Sequence, residues 1–572
     1  MRSEAAETES AAPPPPANRW QARLSAGALP VHLISLPVAF AVLLWLDSGL
    51  WFFYDEWAFL AVRGEGGRPL GLFAPYNEHW STIPLLIYRG LYNVVGLHTY
   101  IPYLVVLLLA HVVLAHLLFR LIRRVGVDPW IATAATLVFL FLGSGANDLT
   151  WAFQMGYILP LVIGGYGLLL VDHEGPGIRR DLLYWPVAVL ALMCSGVAVA
   201  LVAAAAITAL LRRGWIPALR VASVPTVVYI AWFILIGHTA QVTYPTTSEL
   251  LQIPQFVWIG LTTAVDNTLG WPGAGAVAVL GLSVFLAMQG TAARRRGAIA
   301  VAMALGAVVF FVTTGIERIS MGLNEATASR YPYVAIALLL PAAVWAVDSL
   351  ARRLNGGRIL VVCLSAVVAV NGLGGLMGYA QGSAGLEDTD KYQLLAAAHL
   401  IVSGAPLLVN DDAQPDPAIA PGLTLGELRS MVRDGAVPLS TPVPPDAVLR
   451  ATLQLQMAVT PTPSFEPGTS PTIVAAQGVS RESTGRCTVV TWYSDSSTLT
   501  LSFTSAGWIA ITADANGTLS VSLAATNNAS TATAPRSFPV AAGSTSYLEL
   551  AVGGMTAVIS LPPGPSLICG AA

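Results

Sequence analysis

The chain is short of charge. Asp, Glu, Lys and Arg make up 11% of 572 residues while apolar types make up 55%, and mean hydropathy is +0.65. That balance excludes an ordinary soluble enzyme and describes a polytopic α-helical membrane protein, with the lipid bilayer as its first partner. Lysine is almost missing, Lys391 being the only one, and the formal net charge is -3. With no broad basic surface, nucleic acid is excluded as a partner. Cysteine is scarce as well, at four residues. None stands in a CxxC spacing and no HExxH occurs, so neither a structural zinc nor a metalloprotease site is indicated. Cys194 and Cys363 fall in apolar runs, where a thiol is a small core residue. Cys487 and Cys569 bracket the last polar region and suggest a disulfide in an oxidising compartment.

What the chain has in quantity is apolar runs. Residues 1–26 carry glutamates and Pro13 to Pro16, cannot bury a core and read as a disordered cytoplasmic tail. Arg19 and Arg23 precede a run from Leu29 to Phe53 that no small-residue cleavage site follows, so it is an uncleaved first span. Further runs lie near Tyr100 to Leu118, Trp130 to Gly145, Met155 to Val171, Trp215 to Ile236, Ala274 to Met288, Ala298 to Thr314, Tyr331 to Val347 and Ile359 to Tyr379. Between Arg180 and Arg212 the apolar stretch is too short for two full spans. A break near Cys194-Ser195-Gly196 would make it a re-entrant pair, for about eleven membrane helices over residues 27–380. Arginines gather in alternate connections, at Arg120 to Arg124, Arg179-Arg180, Arg212-Arg213, Arg294 to Arg296 and Arg352 to Arg358. The positive-inside rule puts these in the cytoplasm. Asp55, Glu56, Glu78, Asp148, Asp266, Glu317, Glu325 and Arg330 then face outward.

Ser81 to Tyr92 reads as a helix lying in the interface, with Ser81 as cap and Pro84 in its first turn. Residues 381–470 form an extracytoplasmic mixed region with a short helix at Leu425 to Arg433. Residues 471–572 alternate at strand period and predict an antiparallel β-sandwich whose edges Cys487 and Cys569 would staple together.

The polar outer loop from Trp51 to Trp80 is the first candidate site. Adjacent carboxylates at a bilayer surface repel unless a cation, a proton or a hydroxyl sits between them. Asp55 is the candidate general base, with Glu56 holding a metal or an acceptor. Asn77, Glu78, His79 and Trp80 could orient a polar substrate, and Asp55, Glu56 and His79 could share a divalent cation. Arg330 and Tyr331, at the mouth of a late span, suit a lipid phosphate; the plainer alternative pairs Arg330 with Glu325, and Glu317 with Arg318. Asp148, Trp151 and Gln154 could line an acceptor groove or cap a helix. His111 and His116 read as packing residues. Asn516-Gly-Thr and Asn528-Ala-Ser match glycosylation sequons.

Asp55-Glu56 in the first outer loop, the interfacial helix behind it, the short apolar hairpin and Ser329-Arg330-Tyr331 together resemble the GT-C superfamily of polyprenyl-phosphate-sugar-dependent glycosyltransferases. The resemblance covers roughly residues 30 to 380. It implies transfer of a sugar from a polyprenyl-phosphate donor to a cell-envelope acceptor, with inversion, at the outer face of a bacterial plasma membrane. The terminal region is similar to the carbohydrate-binding sandwiches appended to actinobacterial members. The alternatives are a lipid or glycan transporter, which the absence of a repeat disfavours, and a noncatalytic envelope glycan-binding protein.

Overall fold

The computed structural model describes residues 19–60, 71–240, 243, 245–466, 468–525 and 533–571, and of residues 19–26 the backbone alone. Most of the expected N-terminal tail and the second sequon therefore lie outside the described residues. The first helix begins at Arg19 and runs to Leu46, earlier than the expected start at 27. The chain forms two compact units, one of Met1–Leu46, Pro75–Ile83 and Val105–Tyr379, the other of Asp47–Ala74, Pro84–Leu104 and Ala380–Ala572.

The first unit is helical. Among the described residues of the chain, eight helices are long and apolar enough to cross a membrane, or nine if the bent pair Ile253–Leu269 with Ala274–Met288 counts as one span. The 115° bend of that pair was not foreseen. Gln255, Thr262, Thr263 and Asp266 dilute the apolar run of its first arm, and Gly270 and Gly273, both at positive φ, turn the chain.

The break between Arg180 and Arg212 falls where expected. Helices Ile178–Leu192 and Val197–Arg213 are each shorter than a span. They form a hairpin, because the start of the first meets the end of the second: Arg213 donates to both oxygens of Asp181, at 2.8 and 2.9 Å. Asp181 is fully buried and also accepts from Arg220 at 3.3 Å. Next to it Arg212 donates to Asp172 at 2.7 Å and to the Arg296 carbonyl at 3.2 Å. Arg124 reaches the same Asp172, while Arg358 pairs with Asp128 and Arg352 with Asp348. The arginines that the sequence places in alternate connections thus collect at one end of the bundle. A helix rises 1.5 Å per residue, so the tip of this hairpin stands roughly 22 Å away. There the Ile83 N–H donates to the Met193 carbonyl.

The second unit holds the terminal region. Helix Gly357–Val402 does not stop where the composition changes; Leu394 to Ala398 are buried, and Ala396 packs on Ala447 and Ala451 of helix Pro445–Leu455. Leu425–Arg433 is a helix as expected, because Thr424 and Glu427 form a capping box. After the two-residue strands β1 (Pro75–Tyr76) and β2 (His79–Trp80) of the first unit, the remaining strands are β3 (Met457–Thr460), β4 (Thr472–Gln477), β5 (Val479–Thr484), β6 (Cys487–Trp492), β7 (Thr498–Phe503), β8 (Gly507–Ala513), β9 (Gly517–Ala525), β10 (Arg536–Val540), β11 (Thr545–Leu550), β12 (Met555–Ser560) and β13 (Gly564–Cys569). They make two antiparallel sheets, ordered β10-β9-β12-β7-β4 and β3-β11-β8-β13-β6-β5. The β region begins at Met457, ahead of the expected 471, since β3 pairs with β11. Inward side chains of both sheets share one cluster around Trp492, Phe503, Ile511 and Leu523. Cys487 and Cys569 are disulfide-bonded. The bond joins directly paired residues of neighbouring strands, so it ties β6 to β13 rather than stapling two edges.

Candidate functional site

Each sequence-predicted residue falls in one unit or the other. Asp55 and Glu56 belong to the second. Glu56 is fully buried and saturated: Tyr88 Oη donates to it, Tyr100 Oη donates at 2.7 Å and the Phe53 N–H at 2.7 Å. Burial, and then the Glu56 carboxylate, hold the Tyr88 phenol well above its usual range, so it stays a donor. A carboxylate held by these donors anchors the loop, and this geometry favours a structural role for Glu56 over the expected catalytic or metal-binding one. Asp55 is half-buried.

The other candidates lie in the first unit. Pro75 pairs with Trp80 and Tyr76 with His79, so Asn77 and Glu78 form a two-residue turn. Asn77 takes φ +51°, a conformation asparagine tolerates at a hairpin turn. It is exposed and shapes the turn. Trp80 stacks on Trp232 with centroids 5.1 Å apart and bonds Thr82 at 2.7 Å, which is packing. Glu78 and His79 face inward at the tip of the short hairpin. A Cβ on Gly196 would stand 3.2 Å from His79 Nδ1, so glycine there lets the imidazole in.

Glu78 and His79 meet the far end of helix Ala298–Arg318. Arg318 donates to Glu78, not to its neighbour Glu317. One ligand atom each of Glu78, His79 and Glu317 lie within 4.8 Å of one another. Among the described residues Glu317 forms no ion pair or hydrogen bond, and the buried Nδ1 of His79 has no partner. Burial holds the imidazole below its ordinary range against the pull of Glu78, with Arg318 and Arg330 adding to the drop. A cavity of about 20 Å³ is lined by these groups with Tyr157 and Tyr331. That space takes one water-sized group, a hydroxyl, a water or an ion. If a divalent cation binds, Glu78, His79 and Glu317 are the residues that could hold it, in place of the expected set of Asp55, Glu56 and His79.

Arg330 borders this cluster. It pairs with Glu325 at 2.5 Å, as the plainer alternative had it, and donates to Tyr331 Oη at 3.2 Å. Its guanidinium is one third exposed and keeps further donors. Asp148 is fully buried, with neither carboxylate oxygen hydrogen-bonded among the described residues; the countercharge acting on it is Arg330. Gln154 donates to Asn147 at 3.0 Å, and Trp151 stacks on Phe153, so both organise their own turn. His111 is hydrogen-bonded between Tyr333 and the Leu140 carbonyl, as a packing residue should be. Sequence reasoning missed Glu317 and Tyr157 as members of the cluster. Comparison with family models, with curated proteins and with solved structures finds no match for this chain.

Proposed function

We propose that the protein is a membrane glycosyltransferase that moves a sugar from a polyprenyl-phosphate donor to a hydroxyl of a cell-envelope acceptor. The arginine-rich end faces the cytoplasm by the positive-inside rule. The cluster of Glu78, His79, Glu317, Arg318 and Arg330 then lies at the outer surface of a bacterial plasma membrane. The observation that carries the reading is that unpaired Glu317 shares a small cavity with Glu78 and His79 while two guanidiniums stand beside it. Glu317 takes the acceptor proton as the hydroxyl oxygen bonds to the anomeric carbon. The bond from that carbon to the phosphate oxygen breaks, and the phosphate leaves with the electron pair, stabilised by Arg330. A single displacement of this kind inverts the anomeric centre. The terminal sheets are read as a sandwich on the outer side that holds glycan.

Replacing Glu317 by Gln should lower transfer from a labelled polyprenyl-phosphate sugar in membranes by at least 100-fold, in line with loss of a general base. Undiminished turnover in Glu317→Gln rejects the assignment, and Asp55→Asn in the same assay decides whether the first-loop carboxylate shares the work. The small size of the cavity favours one competitor, an ion-coupled lipid or glycan transporter whose cluster carries a proton. That reading wins if purified protein in vesicles moves lipid-linked sugar across the bilayer without transferring it.

A further inference from the structure

A second cavity, of about 660 Å³, opens in the helical unit beside the bend between Ile253–Leu269 and Ala274–Met288. Helix Ala274–Met288 leads on to Arg296, whose carbonyl contacts Arg212 at the arginine-rich end. The bend is therefore at the opposite end of the bundle, a helix length away. The floor is bare peptide: a Cβ on Gly372 would lie 2.0 Å from the Phe141 carbonyl oxygen, and one on Gly143 2.8 Å from that of Gly372.

The lining has an unusual chemistry for this depth. Asn371 stands within the apolar helix Gly357–Val402, exposed, and its amide has no hydrogen-bond partner among the described residues. The same is true of Asn267 across the cavity. An amide within an apolar span is uncommon and faces the bundle interior or a cavity that takes something polar. Asp266 gives one oxygen to the Gly275 N–H at 2.6 Å and keeps the other; Ser144 and Thr268 share a hydroxyl pair at 2.8 Å. Trp271 lies 73% exposed at the rim. Among the described residues no Arg, Lys or His lines the space, so none of them compensates a phosphate there.

We infer that this cavity is a binding site for an uncharged polyhydroxylated group, a sugar headgroup or free glycan. Its hydroxyls bond Asn267, Asn371 and Asp266, and its C–H face lies on Trp271. Two amides and a carboxylate oxygen supply both donors and acceptors, as hydroxyls need, and the volume lies in the range of small-ligand sites. The assignment stands apart from the transferase reading, because it uses none of the Glu78–Glu317 cluster.

The test uses the full chain in phosphatidylcholine nanodiscs, with octyl β-glucoside, methyl β-glucoside and octyl phosphate as probes below micelle-forming concentrations. Saturation-transfer NMR reads contact with the protein. Saturable glucoside contact is expected, weakened at least tenfold by Asn371→Leu and by Asn267→Ala and kept in Glu317→Gln. Contact by the octyl form alone identifies a lipid-borne sugar, and equal contact by both a free glycan; either supports the site. Asn371→Leu puts an apolar side chain on a membrane helix and should fold, and Asn267→Ala repeats the test on another element. No saturable glucoside contact, equal contact by octyl phosphate, or indifference to both substitutions overturns the inference.

Discussion

Glu56 gives the sharpest prediction, since its environment sets it apart from its neighbour Asp55 as the anchor of the loop. Removing the side chain in Glu56→Ala leaves the Tyr88 and Tyr100 hydroxyls and the Phe53 N–H without their acceptor. Tyr88 is fully buried and Tyr100 nearly so, so water cannot replace it. Hydrogen bonds to a charged group are worth about 1.5–3 kcal/mol each and do not add fully. Stranding a buried neutral donor costs about 1–3 kcal/mol. Glu56→Gln keeps the shape but turns an N–H toward a donor, for about 1–3 kcal/mol. Tyr88→Phe deletes one bond at a similar cost, and because the two touch, the double variant should show about 0.5–3 kcal/mol of coupling. Denaturant or thermal unfolding in detergent, followed on the second unit, measures all four variants. An Ala variant with undiminished stability but abolished transfer would refute the structural role and restore a catalytic one.

Three further outcomes follow from the same geometry. Asp181→Ala strands Arg213, 5% exposed, at the base of the short hairpin, and should destabilise the helical unit by about 3–5 kcal/mol, read as lost thermal resistance. His79 has a folded-state pKa below its unfolded value near 6.5, so the unfolded chain takes up the proton first. Stability should hold above that pH and fall on acidification below it, and His79→Asn should flatten that slope in a pH series of unfolding midpoints. Reducing the Cys487–Cys569 bond, which closes 82 residues, should cost at most about 5 kcal/mol. Protease sensitivity of strands β6 and β13 then rises while the helical unit is unaffected.

Much of the scaffold was legible in the chain because its signals are local. The capping pair Thr424 and Glu427 announces a helix over four residues, and Cys194-Ser195-Gly196 interrupts an apolar run at the middle of a segment too short to cross twice. The helix Ile253–Leu269 was hidden because Gln255, Thr262 and Asp266 lower its hydropathy, although neighbouring helices cover Phe256, Gly260 and Leu261. Helix Gly357–Val402 ran past its expected end since a change of composition does not end a helix. The site was half legible. Glu78 and His79 stood out by type, but Glu317 looked like one half of a sequence-adjacent pair. Its neighbour Arg318 instead spends its charge on Glu78, 240 residues away. No periodicity reveals a contact made at that separation. Asp55 and Glu56 look alike in sequence, and only the tyrosines around Glu56 separate them.

The short hairpin also constrains how the chain is made. Its arms, 15 and 17 residues long, reach roughly 22 and 25 Å at helical rise, less than the hydrocarbon thickness of about 30 Å. Neither arm can be handed to lipid alone without leaving its tip, with its exposed peptide groups, in an oily medium. The hairpin is held instead by the helices on either side of it in the chain, Met155–Val171 before and Trp215–Leu235 after, and enters as part of a half-built bundle with them. A nascent chain cut after Arg213, before Trp215–Leu235 is made, should therefore leave the hairpin more open to protease than one cut after Leu235.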